Sequence, residues 1–343
     1  MQNGKLVIFD STLRDGSHAI ANSLTPEQVS TYAGLAEQAG IDILEVGHGL
    51  GLGASSLQSG FSDHDDSVLI EAALERLNRT KLCCFALPGF ATIQRNIVPA
   101  MQQGVKIFRL GCHCTEADIC PRYIEFLKAA GKTVYISFTM SHMATKEELL
   151  RQGLLVQEAG ADGLILMDSA GHFLVGSVWE TIVFLHEGLK MPLGFHAHNN
   201  LSLAVANALI SIEQGCTIVD GCSCGFGAAS GNTPMEIVVP LLERCGYATG
   251  IDVSKLFKLA EYTKNNLVRS TPFSKPLNVM TGLYGLTSAF TSHIERVARE
   301  FSIDPLDLCR ELAVYKPVGG QEDLIMKAAL NLTSNGESAT KVA

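Results

Sequence analysis

Apolar and polar residues follow a repeating strand–turn–helix pattern along most of the chain. Amphipathic stretches at 26–40, 146–160 and 202–215 each end in glycine, as helices commonly do. Short, nearly continuous apolar runs have the composition of buried strands. These predicted strands cover residues 5–11, 42–46, 81–87, 106–111, 133–139, 163–168, 193–198 and 217–222.

This alternation predicts an α/β protein, a (β/α)8 TIM barrel. Strands that are apolar on both faces belong to parallel sheets covered by helices, and eight such units close a barrel. The competing fold is a doubly wound sheet, which usually has a Gly-rich phosphate loop after its first strand. Residues 13–18 occupy that position here, and they carry charged side chains instead.

The pattern changes after residue 248, where helices are predicted and strands are not. The predicted helices cover 253–268, 287–301, 305–315 and 322–331, with an irregular crossing at 271–276. We therefore predict a TIM-barrel catalytic domain over 1–248 and a helical C-terminal domain over 249–343.

Composition supports a large buried core. The chain has 343 residues, of which 47% are hydrophobic, and its net charge is −9. The acidic balance and the lack of a Lys/Arg run argue against a nucleic-acid surface. No apolar run reaches the roughly 20 residues of a membrane span, and no signal-peptide pattern is present. We expect a cytoplasmic protein without membrane or nucleic-acid partners.

The ten cysteines are best interpreted as buried, reduced thiols of an intracellular protein. Segments 112–114 and 222–224 each hold two cysteines, which raises the alternative of structural zinc. Zinc knuckles separate their cysteines by two or more residues, and neither segment has that spacing.

A charged cluster follows the first predicted strand. Arg14, Asp15 and His18 lie within five residues, with Gly16 permitting a turn. Buried charges are unfavourable unless they bind a metal or one another, and barrel active sites form at the carboxyl ends of the strands. The alternative is a surface turn with a structural Arg14–Asp15 pair. Other polar residues at predicted strand ends are Glu45, His48, His113, His142, Asp168, Ser169 and Asp220.

His196 and His198 form the most specific feature of the sequence. Residues i and i+2 of a strand point to the same face, so the two imidazoles project together at the predicted barrel mouth. With Asp15 they make a two-His, one-carboxylate set that leaves coordination positions open. The set suits Mn²⁺ or Mg²⁺, with Zn²⁺, Co²⁺ and Fe²⁺ left open. The alternative is two unrelated histidines.

Such a site could make or break a carbon–carbon bond beside a carbonyl. A divalent metal that binds a 2-oxo acid polarises the carbonyl and favours an enolate. Arg14 can hold the developing oxyanion, and His18 can exchange a proton near neutral pH. No lysine at a strand end suggests a Schiff base.

Several motifs together resemble the DRE-TIM metallolyases and, within them, the 4-hydroxy-2-oxovalerate aldolase family. These are class II pyruvate aldolases of aromatic meta-cleavage pathways. The similarity covers nearly the whole chain. The matching segments are 10–19, 45–49, 113–118, 140–144, 168–171, 196–203 and 318–323.

The resemblance implies a barrel with a C-terminal helical domain and Mn²⁺ held by Asp15, His196 and His198. It implies Arg14 as the enolate stabiliser and His18 as the base that deprotonates the 4-hydroxyl group. The reaction would be retro-aldol cleavage of 4-hydroxy-2-oxovalerate, or a related 4-hydroxy-2-oxo acid, to pyruvate and an aldehyde such as acetaldehyde. It also implies an oligomer and an acylating aldehyde dehydrogenase as partner.

The resemblance places further residues around the substrate. Ser169 and His196 would lie near pyruvate, and Phe85 and Leu87 near the aldehyde. The family's active-site tyrosine aligns with Thr287, and Tyr284, one turn earlier, is the second candidate for its substrate-binding place. The chain also has Asn199 where the family usually has histidine, and Phe85 is bulkier than the usual leucine. These departures affect the aldehyde end.

Two alternatives stay open from the sequence. One is a Claisen-type acyl-CoA lyase or synthase of the same superfamily, which the aldolase-specific segments 113–118, 140–144 and 318–323 disfavour. The other is a catalytically weak scaffold that partners an aldehyde dehydrogenase, which the retention of the charged and histidine cluster disfavours.

Overall fold

The structure, a computed structural model, describes residues 5–269 and 275–340, with side chains as far as residue 334. Most of the predicted irregular crossing at 271–276 lies outside the described residues. In the described part of the chain, no helix combines the length and apolar character that crossing a membrane requires.

Eight parallel strands close into a barrel in sequence order, which confirms the predicted TIM barrel. β1 and β4 continue further than predicted, since Leu13 pairs with Val46 and His113 pairs with Thr139. The strands are β1 Val7–Leu13, β2 Ile43–Val46, β3 Lys81–Ala86, β4 Ile107–His113, β5 Thr133–Thr139, β6 Gly163–Asp168, β7 Leu193–Ala197 and β8 Ile218–Gly221.

Helices cover the barrel and continue beyond it. The first begins as its sequence predicts, because Thr25 and Gln28 form a reciprocal capping box and Gly40 ends the helix at a φ of 87°. The helices are α1 Pro26–Ala39, α2 Asp66–Leu74, α3 Val98–Gln103, α4 Pro121–Ala129, α5 Lys146–Glu158, α6 Val175–Gly188, α7 Ala204–Glu213, α8 Met235–Arg244, α9 Val253–Asn266, α10 Pro276–Tyr284, α11 Thr291–Phe301, α12 Pro305–Ala313 and α13 Asp323–Thr340.

Two hydrophobic cores lie outside the barrel interior. The larger fills the space between the strands and their helices, and it includes Leu256 and Leu259 of α9. Helix α9 packs mainly against α1 of the barrel. The smaller core joins α10 to α13 around Phe290 and Leu312. The division into domains 1–248 and 249–343 stays a prediction.

The barrel interior changes from apolar to polar towards the carboxyl ends of the strands. The lower layer is apolar and consists of Phe9, Ile43, Cys83, Ile107, Ile165 and Ile218. Because alternate residues of a strand share a face, the next inward residues lie two positions later. They include Ser11, Glu45, Phe85, Arg109, Ser137, His196 and Asp220, all buried. At the carboxyl ends of the strands, the barrel interior therefore contains a layer of buried charged and polar side chains.

Candidate active site

Arg14 lies at the end of β1 and is only 2% exposed. Its Nε donates to Glu45 Oε2 at 2.7 Å, its Nη1 donates to Asp15 Oδ2 at 2.7 Å, and its guanidinium carbon lies 4.7 Å from the centre of the Phe85 ring. Its Nη2 is buried and has no hydrogen-bond partner among the described residues. The Arg14–Asp15 pair is thus buried, unlike a surface turn, and it leaves one strong donor unused.

The structure gives a different reason for glycine at position 16 from the one that the sequence suggested. Its φ is not positive, so the turn does not require glycine for backbone freedom. A Cβ at this position would overlap the ring of Phe226, which follows β8. The glycine therefore allows the loop after β8 to pack tightly beside Asp15.

Asp15, His196 and His198 converge as predicted. Their ligand atoms all lie within 4.8 Å of one another, and the three residues are buried. His196 Nε2 lies 3.7 Å from Asp15 Oδ2, and the two imidazole centres are 5.3 Å apart. The loop after β8 fixes the carboxylate, because the backbone N–H of Ala228 donates to Asp15 Oδ1 at 3.2 Å.

These residues fit a divalent cation. His196 Nε2 and His198 Nδ1 are buried without a hydrogen-bond partner among the described residues, which is unfavourable unless something binds them. Burial lowers the pKa of His198 to about 4, so its imidazole is neutral at pH 7. Burial raises the pKa of Asp15, but Arg14 and the two histidines outweigh it and hold that pKa well below its usual value. The set offers one carboxylate and two neutral imidazoles.

The cysteine segments do not assemble a comparable site in the described part of the chain. Cys114 Sγ donates to the carbonyl of Met140 at 3.2 Å, and Cys224 Sγ donates to that of Ala260 at 3.1 Å. All ten cysteines are free thiols, and most are buried. The buried ones contribute to packing.

His18 lies on the short 3-10 turn Asp15–Ile20 and packs against the backbone of Gly49. A side chain at Gly49 would overlap the imidazole. Burial lowers the pKa of His18, and Arg14 and His48 act in the same direction, while Asp15 opposes them. His18 is therefore neutral at pH 7 and able to accept a proton.

The other predicted substrate-binding residues at the barrel mouth lie in two places. Phe85 and Leu87 both face Gly111, where any side chain would overlap them. Ser169 Oγ accepts from the backbone N–H of Met140 at 3.0 Å. The carbonyl of Ser169 accepts from Ser288 at 3.3 Å, which brings the turn after Thr287 to the carboxyl end of β6. The roles of these residues stay predictions.

Tyr284 and Asn199 lie in different surroundings. Tyr284 is 38% exposed, and its hydroxyl accepts from Arg310 Nε at 3.4 Å. Asn199 Oδ1 accepts from the backbone N–H of Ala204 at 3.2 Å, where α7 begins. Of the two candidates for the tyrosine's place, Thr287 is next to a residue that contacts the barrel mouth.

The C-terminal helices dock on the carboxyl ends of β5, β6 and β7. Asn200 Nδ2 donates to the carbonyl of Asn278 at 3.1 Å. His172 Nδ1 lies 2.7 Å from the carbonyl of Gly282, and His142 Nε2 lies 3.0 Å from that of Gly285. These helices therefore cover part of the mouth that holds the candidate site.

Sequence reasoning missed Arg109 and gave no role to Glu45 or Asp220. Arg109 is fully buried, and its Nη2 lies 2.7 Å from Asp220 Oδ2. Asp220 Oδ1 in turn lies 3.0 Å from His196 Nδ1. The available signal was one arginine inside the otherwise apolar run 107–110.

Comparison with known proteins gives concordant results. The chain matches the HMGL-like family over residues 5–263 and the DmpG-like communication domain over residues 272–334. A protein of Pectobacterium atrosepticum named 4-hydroxy-2-oxovalerate aldolase is 38% identical and covers 98% of both chains. One of the same name from Burkholderia pseudomallei is 42% identical over 95% of this chain and 94% of its own.

The fold also has a counterpart among solved structures. The carboxyl transferase domain of Rhizobium etli pyruvate carboxylase superposes with a TM-score of 0.80 over 96% of this chain and 60% of that chain. The sequences are 14% identical, so the likeness concerns the barrel architecture alone.

Proposed function

The chain belongs to the HMGL-like family and, within it, to the 4-hydroxy-2-oxovalerate aldolases, and from this membership we propose that it is a carbon–carbon lyase. It cleaves 4-hydroxy-2-oxovalerate, or a related 4-hydroxy-2-oxo acid, to pyruvate and an aldehyde such as acetaldehyde. This activity suits the catabolism of aromatic hydrocarbons. The observation that carries the proposal is the convergence of Asp15, His196 and His198 beside the unpaired Nη2 of Arg14.

A divalent ion held by Asp15, His196 and His198 supplies Lewis acidity towards the 2-oxo acid. The buried Nη2 of Arg14 donates to the oxygen on which negative charge develops, and it is pre-oriented by Glu45 and Asp15. Water is largely excluded from this position, which strengthens the interaction.

His18 takes the proton of the 4-hydroxyl group as general base. The C3–C4 bond then breaks, the carbinol carbon becomes the aldehyde carbonyl, and the electron pair passes to the enolate of pyruvate. Protonation at C3 completes pyruvate. The lowered pKa of His18 keeps it in the proton-accepting form at neutral pH.

The remaining predicted residues are assigned to the two ends of the substrate. Ser169 and His196 lie beside pyruvate, and Phe85 and Leu87 contact the aldehyde end. Thr287 takes the place of the family's active-site tyrosine. Its support is the Ser288–Ser169 hydrogen bond at the end of β6.

We propose Mn²⁺ as the bound ion, with Mg²⁺, Co²⁺ and Zn²⁺ as competitors. A mixed carboxylate and imidazole set with open positions suits Mn²⁺. Metal-free protein reloaded separately with each ion, at equal free concentration, ranks them by pyruvate release. A faster rate with any of the other three would replace Mn²⁺.

We propose an acylating aldehyde dehydrogenase as the partner, an oligomeric assembly and a cytoplasmic location. The support for the partner is the match of residues 272–334 to the DmpG-like communication domain. Co-purification from cells that express both proteins, followed by light scattering of the complex, tests the partner and the stoichiometry together.

The decisive assay for the reaction follows pyruvate release from 4-hydroxy-2-oxovalerate through lactate dehydrogenase and NADH. Acyl-CoA substrates run in parallel test the Claisen-type alternative. Turnover of acyl-CoA without pyruvate release would favour that alternative. The absence of both activities with Mn²⁺ would favour the scaffold.

A further inference from the structure

A buried guanidinium lies beneath the candidate site, in the polar layer of the barrel. Arg109 projects inward from β4 and is 0% exposed. Its Nη2 lies 2.7 Å from Asp220 Oδ2, and its Nη1 lies 3.6 Å from Glu45 Oε2. A charge held so deep is unfavourable unless it is paired, and these two carboxylates pair with it by charge, although Nη2 forms no aligned hydrogen bond among the described residues.

Each of the two carboxylates also contacts a residue of the site. Asp220 Oδ1 lies 3.0 Å from His196 Nδ1, and Glu45 Oε2 accepts from Arg14 Nε at 2.7 Å. Arg109 is therefore the common neighbour of two chains of contacts. One chain leads to a metal ligand, and the other leads to the guanidinium that faces the enolate.

Hydroxyl groups and rings fix the orientation of the Arg109 side chain. Its Nε donates to Ser137 Oγ at 2.5 Å, and its Nη1 donates to Ser11 Oγ at 3.3 Å. The rings of Phe9 and Phe85 lie 5.1 Å and 5.8 Å from its guanidinium carbon. The planar fork thus has defined partners along several directions, which lysine could not reproduce.

We propose that Arg109 is a positioning residue that aligns the metal ligand His196 through Asp220 and the enolate-binding Arg14 through Glu45. Asp220 Oδ1, 3.0 Å from His196 Nδ1, favours the tautomer with its proton on Nδ1, which leaves the Nε2 lone pair directed towards Asp15. Carboxylate partners of metal-bound histidines commonly act in this way. Glu45 holds Arg14 so that its Nη2 stays unpaired and available. The inference rests on the aldolase function proposed above.

Two measurements distinguish the chain of contacts that leads to His196 from the chain that leads to Arg14. Mn²⁺ affinity in the absence of substrate, measured by electron paramagnetic resonance, reports on His196. Exchange of the pyruvate methyl protons in D2O at saturating Mn²⁺, followed by NMR, reports on Arg14. The first readout does not depend on catalysis at all.

The variants then give a distinctive signature. Asp220→Asn weakens Mn²⁺ binding by about tenfold or more, since outer partners of metal ligands have effects of that size. Glu45→Gln leaves the Mn²⁺ affinity within about twofold and slows methyl exchange about tenfold, as expected for a charged hydrogen bond. Arg109→Lys impairs both readouts, because Arg109 contacts both Asp220 and Glu45.

Ser137→Ala provides a milder variant in case Arg109→Lys does not fold. It keeps every charge and removes only the hydroxyl that accepts from Arg109 Nε, so it produces smaller losses in both readouts. Arg151→Lys is the matched control, because Arg151 forms an exposed pair with Glu148 on the outer surface. It leaves both readouts unchanged.

The outcomes separate this inference from the proposed function. If wild-type protein binds Mn²⁺ and releases pyruvate, while Asp220→Asn, Glu45→Gln and Ser137→Ala all match Arg151→Lys, the positioning role is wrong and the aldolase function stands. Loss of one readout alone in both Arg109→Lys and Ser137→Ala would also overturn it. If wild-type protein fails to release pyruvate, the proposed function itself is wrong.

Discussion

The two ends of the proposed substrate site are built differently. The pyruvate end consists of residues on or directly after strands, namely Arg14, Asp15, His196 and His198, all buried. The proposed aldehyde end combines Phe85 and Leu87 with the turn at Thr287, which reaches the barrel from the C-terminal helices. Strand ends are held by the hydrogen bonds of the sheet, whereas the proposed aldehyde end depends on how the C-terminal helices dock on the barrel. The first end is therefore suited to conserving a reaction, and the second to changing its substrate.

Removing a metal ligand should have the largest effect. We expect Asp15→Ala or His196→Ala to lower Mn²⁺-dependent pyruvate release by about three orders of magnitude, because the Lewis acid contributes several kcal/mol to the barrier. The lactate dehydrogenase assay at saturating Mn²⁺ measures this change. A variant that keeps more than about a tenth of the wild-type rate would contradict the assignment.

Removing the proposed base should slow cleavage much more than it slows enolate formation from pyruvate. We expect His18→Ala to slow cleavage by about 10²- to 10⁴-fold, as for loss of a general base, while methyl exchange of pyruvate changes much less. His186→Ala, on the exposed face of α6, serves as the control. Equal losses in cleavage and exchange would show that His18 has another role.

Changes at the aldehyde end should alter preference rather than pyruvate chemistry. We expect Phe85→Leu to raise kcat/KM for longer aldehydes relative to acetaldehyde by about tenfold, since a few methylene groups in a pocket discriminate on that scale. A screen of aldehyde acceptors with pyruvate in the synthetic direction measures it. An unchanged preference with a slower methyl exchange would place Phe85 at the pyruvate end, through its contact with Arg14.

Substitutions at Thr287 and Tyr284, the two candidates for the place of the family's tyrosine, should have different effects on the product. Thr287→Tyr should change acceptor preference and the stereochemistry of the product, because this turn lies at the end of β6. Tyr284→Phe should leave both within about twofold, since Tyr284 is partly exposed and its hydroxyl accepts from Arg310 at the surface. Chiral analysis of the aldol product tests the pair, and a response to Tyr284→Phe alone would reverse the assignment.

The smallest expected effect concerns pH. Since burial lowers the pKa of His18 below 6.5, the base loses its proton-accepting form only at pH values beneath that ordinary value. We expect the acid decline of kcat/KM for cleavage to have its midpoint below pH 6.5. A decline centred above pH 6.5 would contradict the lowered pKa.

The sequence predicted the convergence of Asp15, His196 and His198 and most of the barrel for physical reasons. Alternation along β7 determines that His196 and His198 share a face, and the barrel topology then brings them to Asp15. The ends of β1 and β4 were placed too early, because polar residues there continue the ladder instead of ending it.

Other features depend on tertiary contacts that no local pattern reveals. The pairing of Arg109 with Asp220 joins β4 to β8 across the barrel, and the requirement for Gly16 comes from the distant ring of Phe226. The docking of α10 on β6 and β7 likewise depends on side chains more than a hundred residues earlier, such as His172. These contacts place the C-terminal helices beside the candidate site.

Pyruvate release by one preparation, assayed before and after metal removal, tests most directly whether the barrel mouth is a metal-dependent aldolase site. Wild-type protein is assayed with 4-hydroxy-2-oxovalerate as purified, after EDTA treatment, and after Mn²⁺ is restored. We expect EDTA to abolish pyruvate release and Mn²⁺ to restore it in wild type, but not in His196→Ala. Full activity in EDTA would contradict the metal site at Asp15, His196 and His198.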